Sequence, residues 1–106
     1  MPSFQHINPN AFAELSSQGE VQVVDIRDGN SFGAGHIPGA TNLDNSNLKQ
    51  FIDSADLNAP LVVCCYHGNS SQSAAAFLSE QGFSDVYSLD GGFSGWQAYY
   101  PDKVER

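Results

Sequence analysis

The stretch LVVCCYHGNSSQSAAAFL, residues 61–78, decides the fold of this chain. Its first part is a continuous apolar run, as expected of a strand in the middle of a parallel sheet that is buried on both faces. A short polar loop follows, with a single glycine at position 68. The small residues that come next predict a helix that ends at Gly82 and turns Ala74, Phe77 and Leu78 inward. The stretch therefore predicts a strand, a short loop and a helix in that order.

Glycine and proline divide the rest of the chain into further short elements. Helices are predicted over residues 8–19, around Phe32, over 45–55 and over 91–101, and strands over 21–26, near Leu43 and over 85–91. In the first helix, Asn8 is the expected N-cap and Pro9 the first helical residue. Trp96 is expected in the core, with a hydrogen-bond partner for its ring N–H. Short strands that alternate with helices predict an α/β fold, a parallel sheet covered by helices on both faces.

Length and charge limit the class of protein. The 106 residues fit one domain, residues 1–106, with a tail at 102–106 that is expected to fray. The formal net charge is −8 with only four basic residues, so neither a nucleic acid nor an anionic membrane surface is an expected partner. No secretory signal or membrane-spanning run is visible. A cytoplasmic location is therefore expected, in which both cysteines stay free thiols.

Cys65 is the candidate functional residue. In open parallel sheets, ligands bind beyond the carboxyl ends of the strands, and Cys65 lies at such an end. The loop after it directs successive backbone N–H groups into one concavity, and the next helix adds the positive end of its dipole. Both effects favour a thiolate and lower the pKa of a cysteine. Gly68 allows the tight bend that this loop requires, and Asn69, Ser70 or Ser71 is expected to cap the helix.

Two simpler interpretations compete with a catalytic role for the cysteines: a buried core thiol and a metal ligand. Side chains alternate along a strand, so Cys64 and Cys65 face opposite ways, and Cys64 is expected to be a core residue. Cys64, Cys65 and His67 are close in sequence, but no second pair of ligands stands at the spacing of a zinc site. We therefore expect neither a bound metal nor a cofactor.

Four segments, in order along the chain, resemble the rhodanese family of sulfurtransferases. The loop CYHGNSS after the apolar strand resembles the active-site loop of that family. The segments VVDIRD (23–28), GHIPGATNL (35–43) and LDGGFSGW (89–96) resemble its Asp-x-Arg strand, its Gly-His-Ile-Pro-Gly-Ala turn and its Gly-Gly-x-x-x-Trp segment. The resemblance spans nearly the whole chain. It implies a single rhodanese-like domain with a five-stranded parallel sheet.

The resemblance also implies a reaction. Cys65 would take the outer sulfur of thiosulfate as a persulfide and pass it to an acceptor, which is cyanide in an assay and thioredoxin or another dithiol in the cell. The substrate would be held by the backbone amides of five loop residues. These are Tyr66, His67, Gly68, Asn69 and Ser70.

Other residues in the matching segments are expected to support the site. Asp25 and Arg27 are expected to form an ion pair that positions the loops, with His36 nearby, and a contact of Arg27 with substrate is the alternative. Ser71 is expected to cap the helix, with a hydroxyl hydrogen bond in the site as the alternative. For the His67 side chain, anion binding and simple exposure to solvent are both open.

Two other functions compete with sulfur transfer. Cysteine phosphatases and some arsenate reductases use Cys-x5-Arg, in which the arginine holds the oxyanion bidentately. Ser71 stands where that arginine would be, and residues 50–102 contain no arginine or lysine. The other alternative is a rhodanese-like module that only binds or carries sulfur for a partner. Such modules typically lose the cysteine that this chain keeps.

Overall fold

The computed structural model describes residues 4–106 and contains a five-stranded sheet in which all strands are parallel. The strands are β1 (Gln5–Ile7), β2 (Gln22–Asp25), β3 (Thr41–Asn42), β4 (Leu61–Cys64) and β5 (Val86–Leu89). The helices are α1 (Pro9–Gln18), α2 (Gly29–Ala34), α3 (Leu48–Ser54), α4 (Ser70–Glu80) and α5 (Gly92–Tyr99). The strand order is β1-β5-β4-β2-β3, so β4 is central, and the predicted α/β class is confirmed. Within residues 4–106, no helix is long and apolar enough to cross a membrane.

The start of α1 follows its sequence signals, whereas β1 carries no such signal. The Asn8 side chain accepts a hydrogen bond of 2.7 Å from the Ala11 N–H, and Pro9 starts α1. The strand β1 was not among the predicted elements. It is three residues long, lies at the sheet edge, and leaves Gln5 and His6 exposed. With only Ile7 buried, it shows neither an apolar run nor a clear alternation.

The central strand β4 supplies both halves of the core. Val62 and Cys64 contribute to a cluster that includes residues of α1 and α5, among them Phe12 and Trp96. Leu61 and Val63 face the other way and join a cluster that includes Ala75 and Leu78 of α4, with residues of α3 packed against it. Helices therefore cover both faces of the sheet. All four residues of β4 are fully buried, which accounts for the continuous apolar run in the sequence.

Helix α4 differs from the prediction in which side faces the sheet. The buried residues are Ser71, Ala75 and Leu78, while Phe77, predicted to face inward, is 43% exposed. The prediction for Phe77 was therefore wrong. Positions 71, 75 and 78 follow the i, i+4, i+7 spacing of one helix face. Phe77 is rotated by about 100° from Leu78, the nearest residue of that face, because this is the angle between successive residues in a helix.

The C-terminal residues contact the core, whereas the sequence predicts a frayed tail over 102–106. The backbones of His36 and Glu105 exchange two hydrogen bonds of 2.9 Å. The ring N–H of Trp96, which is in the core as predicted, donates to the Lys103 carbonyl at 2.8 Å. Val104 packs on the same core cluster as Trp96. These contacts give the tail partners that its polar sequence does not indicate.

Candidate active site

Cys65 lies directly after β4, at the carboxyl edge of the sheet, and the loop of residues 65–69 connects it to α4. Its Sγ is 3.1 Å from the backbone nitrogen of Gly68 and 3.2 Å from the hydroxyl oxygen of Ser71. The residue is only 2% exposed. The loop thus curls around the sulfur and directs hydrogen-bond donors toward it.

The surroundings of Cys65 favour its thiolate. Burial by itself opposes ionisation of the thiol and would raise its pKa. Hydrogen bonds from the Ser71 hydroxyl and from the backbone N–H groups of Ser71, Gly68 and His67 outweigh that effect, so the pKa of Cys65 lies below its ordinary value. A cysteine that is ionised more readily is a better nucleophile at neutral pH.

Cys64 has the opposite character. It is fully buried in the core cluster on the α1 and α5 side of the sheet, as expected from the alternation of a strand. Burial raises the pKa of its thiol well above the ordinary range, and the charge of Asp25, its partner across the β2–β4 ladder, raises it further. Its Sγ donates to the carbonyl of Cys65 at 3.5 Å. The two adjacent cysteines therefore lie in different environments, which raise the pKa of Cys64 and lower the pKa of Cys65.

The amino end of α5 holds the loop in place, a role not predicted from the sequence. The N–H groups of Phe93 and Ser94 donate to the carbonyls of Cys65 and Tyr66 at 2.8 Å and 3.1 Å. Gly92 has φ +57°, and a Cβ built on it would lie 2.5 Å from the Cys65 carbonyl oxygen. Only glycine allows this approach. The glycine doublet in LDGGFSGW is the signal that could have identified the contact.

A buried ion pair lies beneath the site, at the end of β2. The side chain of Arg27 donates to both carboxylate oxygens of Asp25, with Nη2–Oδ2 at 2.8 Å, and to the Gly35 carbonyl at 2.6 Å. The ion pair predicted between these two residues is thus present. The guanidinium carbon of Arg27 also lies 4.2 Å from the centre of the Phe93 ring. With its donors directed at Asp25 and Gly35, Arg27 is held within the protein.

His36 follows Gly35, whose carbonyl accepts from Arg27, but its own side chain contacts other groups. Its ring stacks on Phe32 at a centroid distance of 3.9 Å, and its Nδ1 is 2.8 Å from the Phe32 carbonyl. Its Nε2 is 3.7 Å from a carboxylate oxygen of Glu105. These contacts fix the turn after α2 and the C-terminal segment, and they support the structural role expected of His36.

The outer residues of the loop face solvent. Tyr66, His67, Asn69 and Ser70 are exposed, and Gly68 is buried with φ +93°. The Tyr66 hydroxyl donates to Asp28 and lies 3.3 Å from the Ser31 hydroxyl, which ties the loop to the start of α2. That hydrogen bond is the main reason that the pKa of Asp28 falls to about 2.

Ser71 does not cap α4 as expected. The N-cap residue is Asn69, which makes no side-chain capping hydrogen bond, and the Ser71 hydroxyl is buried inside the site. It contacts Cys65 Sγ and also lies 2.8 Å from the hydroxyl oxygen of Ser88 on β5. The alternative role considered for Ser71, a hydrogen bond in the site, is the one its geometry supports. Ser88 was not singled out, because a serine in the strand VYSL gives no local signal.

Comparisons with known proteins agree with this architecture. The family model for the rhodanese-like domain matches residues 8–99. A protein of Shewanella oneidensis named thiosulfate sulfurtransferase GlpE is 62% identical over 96 residues, covering 91% of this chain and 95% of that protein. A protein of the same name from Ectopseudomonas mendocina is 60% identical over 106 residues, covering 100% of this chain and 96% of the relative.

A solved structure shows the same fold. The rhodanese-related protein of Thermoplasma volcanium superposes with a TM-score of 0.76 at 27% identity. The match covers 91% of this chain and 93% of that protein. The α/β architecture that positions Cys65 is therefore shared with this structure.

Proposed function

Because the chain belongs to the rhodanese family, we propose that it is a thiosulfate sulfurtransferase that acts through a persulfide on Cys65. The observation that carries the proposal is the position of Cys65 Sγ, enclosed at a strand end by the Gly68 N–H and the Ser71 hydroxyl. The relatives from Shewanella and Ectopseudomonas, which span nearly the whole chain, bear the name of this activity.

In the first step, the Cys65 thiolate attacks the outer sulfur of thiosulfate. A new S–S bond forms at Cys65, the S–S bond of thiosulfate breaks, and sulfite leaves with the electron pair. The incoming substrate, the persulfide and the departing sulfite are all anionic. Backbone N–H donors fixed before the reaction can stabilise each of them without moving.

The substrate site that we propose is formed by the backbone of Tyr66, His67, Gly68, Asn69 and Ser70, in the loop that begins at Cys65 and leads into α4. Asp25, Arg27, His36 and Ser71 act through position rather than through contact with substrate. For Asp25 and Arg27, the support is that the guanidinium donors of Arg27 are directed at the carboxylate and the Gly35 carbonyl.

In the second step, an acceptor removes the outer sulfur and the Cys65 thiolate returns. Cyanide gives thiocyanate in one displacement. A dithiol protein such as thioredoxin would attack with one thiolate, and its second thiol would then release sulfide and leave a disulfide. The outer sulfur of a persulfide extends about 2 Å beyond Sγ, so an acceptor need not reach the buried Sγ itself. We place this chemistry in the cytoplasm, where free thiols such as these two persist.

The test is the mass of the peptide that contains Cys65 after incubation with excess thiosulfate. One sulfur should add about 32 Da, as covalent catalysis requires. Cys65→Ser should abolish both the mass increase and thiocyanate formation. Cys64→Ser is the matched control, since its thiol lies on the other face of β4, and it should keep most of the activity. A wild-type protein that forms no persulfide, or a Cys64→Ser variant that is the inactive one, would refute the proposal.

A further inference from the structure

Two buried hydroxyls continue the hydrogen bonding of Cys65 into the protein. Ser71 on α4 is fully buried and Ser88 on β5 is 1% exposed. Cys65 Sγ and Ser71 Oγ are 3.2 Å apart, and Ser71 Oγ and Ser88 Oγ are 2.8 Å apart. Ser88 lies opposite Val63 in the β4–β5 ladder, so its side chain faces α4, from which Ser71 projects. The three groups form a short chain that leads away from solvent.

The number of protons in this chain depends on the state of Cys65. Within residues 4–106, the only hydrogen bonds that these two hydroxyl oxygens make are those that link the three groups. With a thiolate, Ser88 donates to Ser71 and Ser71 donates to the sulfur, so both protons have an acceptor. With a thiol, three protons share the same two links, and one of them has no acceptor in the chain. A buried donor without a partner costs free energy.

We propose that Ser88 is a positioning residue for Cys65: its hydroxyl donates to Ser71 Oγ and thereby directs the Ser71 proton at the Cys65 sulfur. The inference rests on the proposed function, because it concerns the nucleophile of that reaction. Ser88 does not contact substrate. In the alternative arrangement, the Ser71 hydroxyl donates to Ser88 and accepts from the Cys65 thiol. When Ser88 donates to Ser71, that arrangement is excluded and the Ser71 proton is left for the sulfur.

The lowered pKa of Cys65 agrees with this geometry, since the Ser71 hydroxyl is the largest of the contributions that lower it. Packing alone does not require a hydroxyl at position 88, because the strand is buried there and alanine would fill nearly the same volume. A polar group placed in such a strand is tolerated when it has a hydrogen-bond partner. The partner of Ser88 is the serine that contacts the nucleophile.

The test is the rate at which iodoacetamide alkylates Cys65 as a function of pH, followed on its peptide by mass spectrometry. The midpoint of this profile reports the pKa of the thiol. Ser71→Ala should raise the midpoint by about one pH unit, the smaller end of what one hydrogen bond to a charged group contributes. Ser88→Ala should raise it by about half as much, since Ser71 keeps its proton but loses its orientation. The double variant should match Ser71→Ala alone, because Ser88 acts through Ser71.

Two controls separate positioning from packing. Tyr87→Phe removes a hydroxyl from the neighbouring residue of β5, which faces the other side of the sheet, and should leave the midpoint unchanged. Ser88→Thr keeps a hydroxyl and should retain the wild-type midpoint. A wild-type midpoint in Ser88→Ala, or shifts that add in the double variant, would overturn the inference, as would a threonine variant that behaves like alanine.

The same samples distinguish this inference from the proposed function. Alkylation needs no thiosulfate, so the midpoints can shift as expected in a protein that forms no persulfide. In that case the proposed function fails and the role of Ser88 stands. A protein that takes up sulfur but shows no dependence of the midpoint on Ser88 gives the reverse result.

Discussion

Replacing Gly92 by alanine should disable the site by pushing its loop away from α5. A Cβ at this position would lie 2.5 Å from the Cys65 carbonyl oxygen, 2.6 Å from the Tyr66 carbonyl carbon and 2.7 Å from the His67 nitrogen. Ordinary contact begins at 3.4 Å, so the loop must retreat by about 0.9 Å. The three atoms belong to the backbone, and no side-chain rotation can relieve the overlap.

The cost has two parts. A side chain at φ +57° is strained by about 1–2 kcal/mol. Overpacking adds about 1–3 kcal/mol, so the free energy of unfolding should fall by roughly 2–5 kcal/mol in total. The retreat also moves Cys65 and the N–H groups of Tyr66 and His67 relative to one another. A misplacement of about 1 Å can lower turnover by about a hundredfold, and we expect a loss of that size in kcat/KM for thiosulfate.

The assay is thiocyanate formation from thiosulfate and cyanide, with urea unfolding of the same proteins. Gly39→Ala is the matched control, because Gly39 has a similar φ of +82° but a Cβ there meets no atom within 4 Å. Gly39→Ala should lower the free energy of unfolding only by the backbone strain of about 1–2 kcal/mol, and it should keep its activity. If Gly92→Ala were as active and as stable as Gly39→Ala, the argument that α5 sets the shape of the loop would be wrong.

Three further predictions concern charge and protonation. Arg27→Ala should lower the free energy of unfolding in urea by about 3–5 kcal/mol, because it leaves the buried carboxylate of Asp25 without its partner; a change near zero would contradict this. The rate of persulfide formation should be constant above the lowered pKa of Cys65 and should fall tenfold per pH unit below it, because the thiolate is lost there. Rapid-mixing measurements give the midpoint of this profile, and a midpoint at or above the ordinary cysteine pKa of about 8.5 would count against the site geometry. Moderate NaCl should lower the KM for thiosulfate, because screening weakens the repulsion between a dianion and a chain of net charge −8, and a KM that only rises with salt would disprove it.

The sequence predicted the elements that carry a strong local signal. The continuous apolar run of β4 reflects its burial on both faces, and Asn8 with Pro9 marks the start of α1. The position of Cys65 followed from the same run, since the strand must end where the polar loop begins. By contrast, β1 is a short edge strand that is stabilised by pairing with β5. Pairing between distant segments produces no recognisable pattern in a strand of only three residues.

The parts of the site that were missed depend on tertiary contacts. Ser88 is one of thirteen serines in the chain, and nothing in its local sequence distinguishes it from the others. Its role follows from its contact with Ser71, which lies on α4 across from β5. The face of α4 was misjudged because apolar character favours Phe77, while the site requires the serine at position 71 to be buried. Hydrophobicity alone could not indicate that a polar residue would lie on the buried side of the helix.

The way in which charge is balanced at this site restricts its chemistry. Arg27 is the only buried cation in residues 4–106, and its guanidinium is directed at Asp25 rather than at the loop. The negative charge on Cys65 is instead met by N–H groups and a hydroxyl, each carrying a partial charge. Such donors stabilise an anion next to the loop, such as a thiolate or a persulfide on Cys65, without a full positive charge. A phosphate dianion is best held by a guanidinium that binds two of its oxygens at once, whereas position 71 supplies a hydroxyl whose oxygen lies 3.2 Å from Cys65 Sγ. An arginine at position 71 would also remove the hydroxyl that contacts Cys65, the nucleophile that we propose, so this loop does not combine the two arrangements.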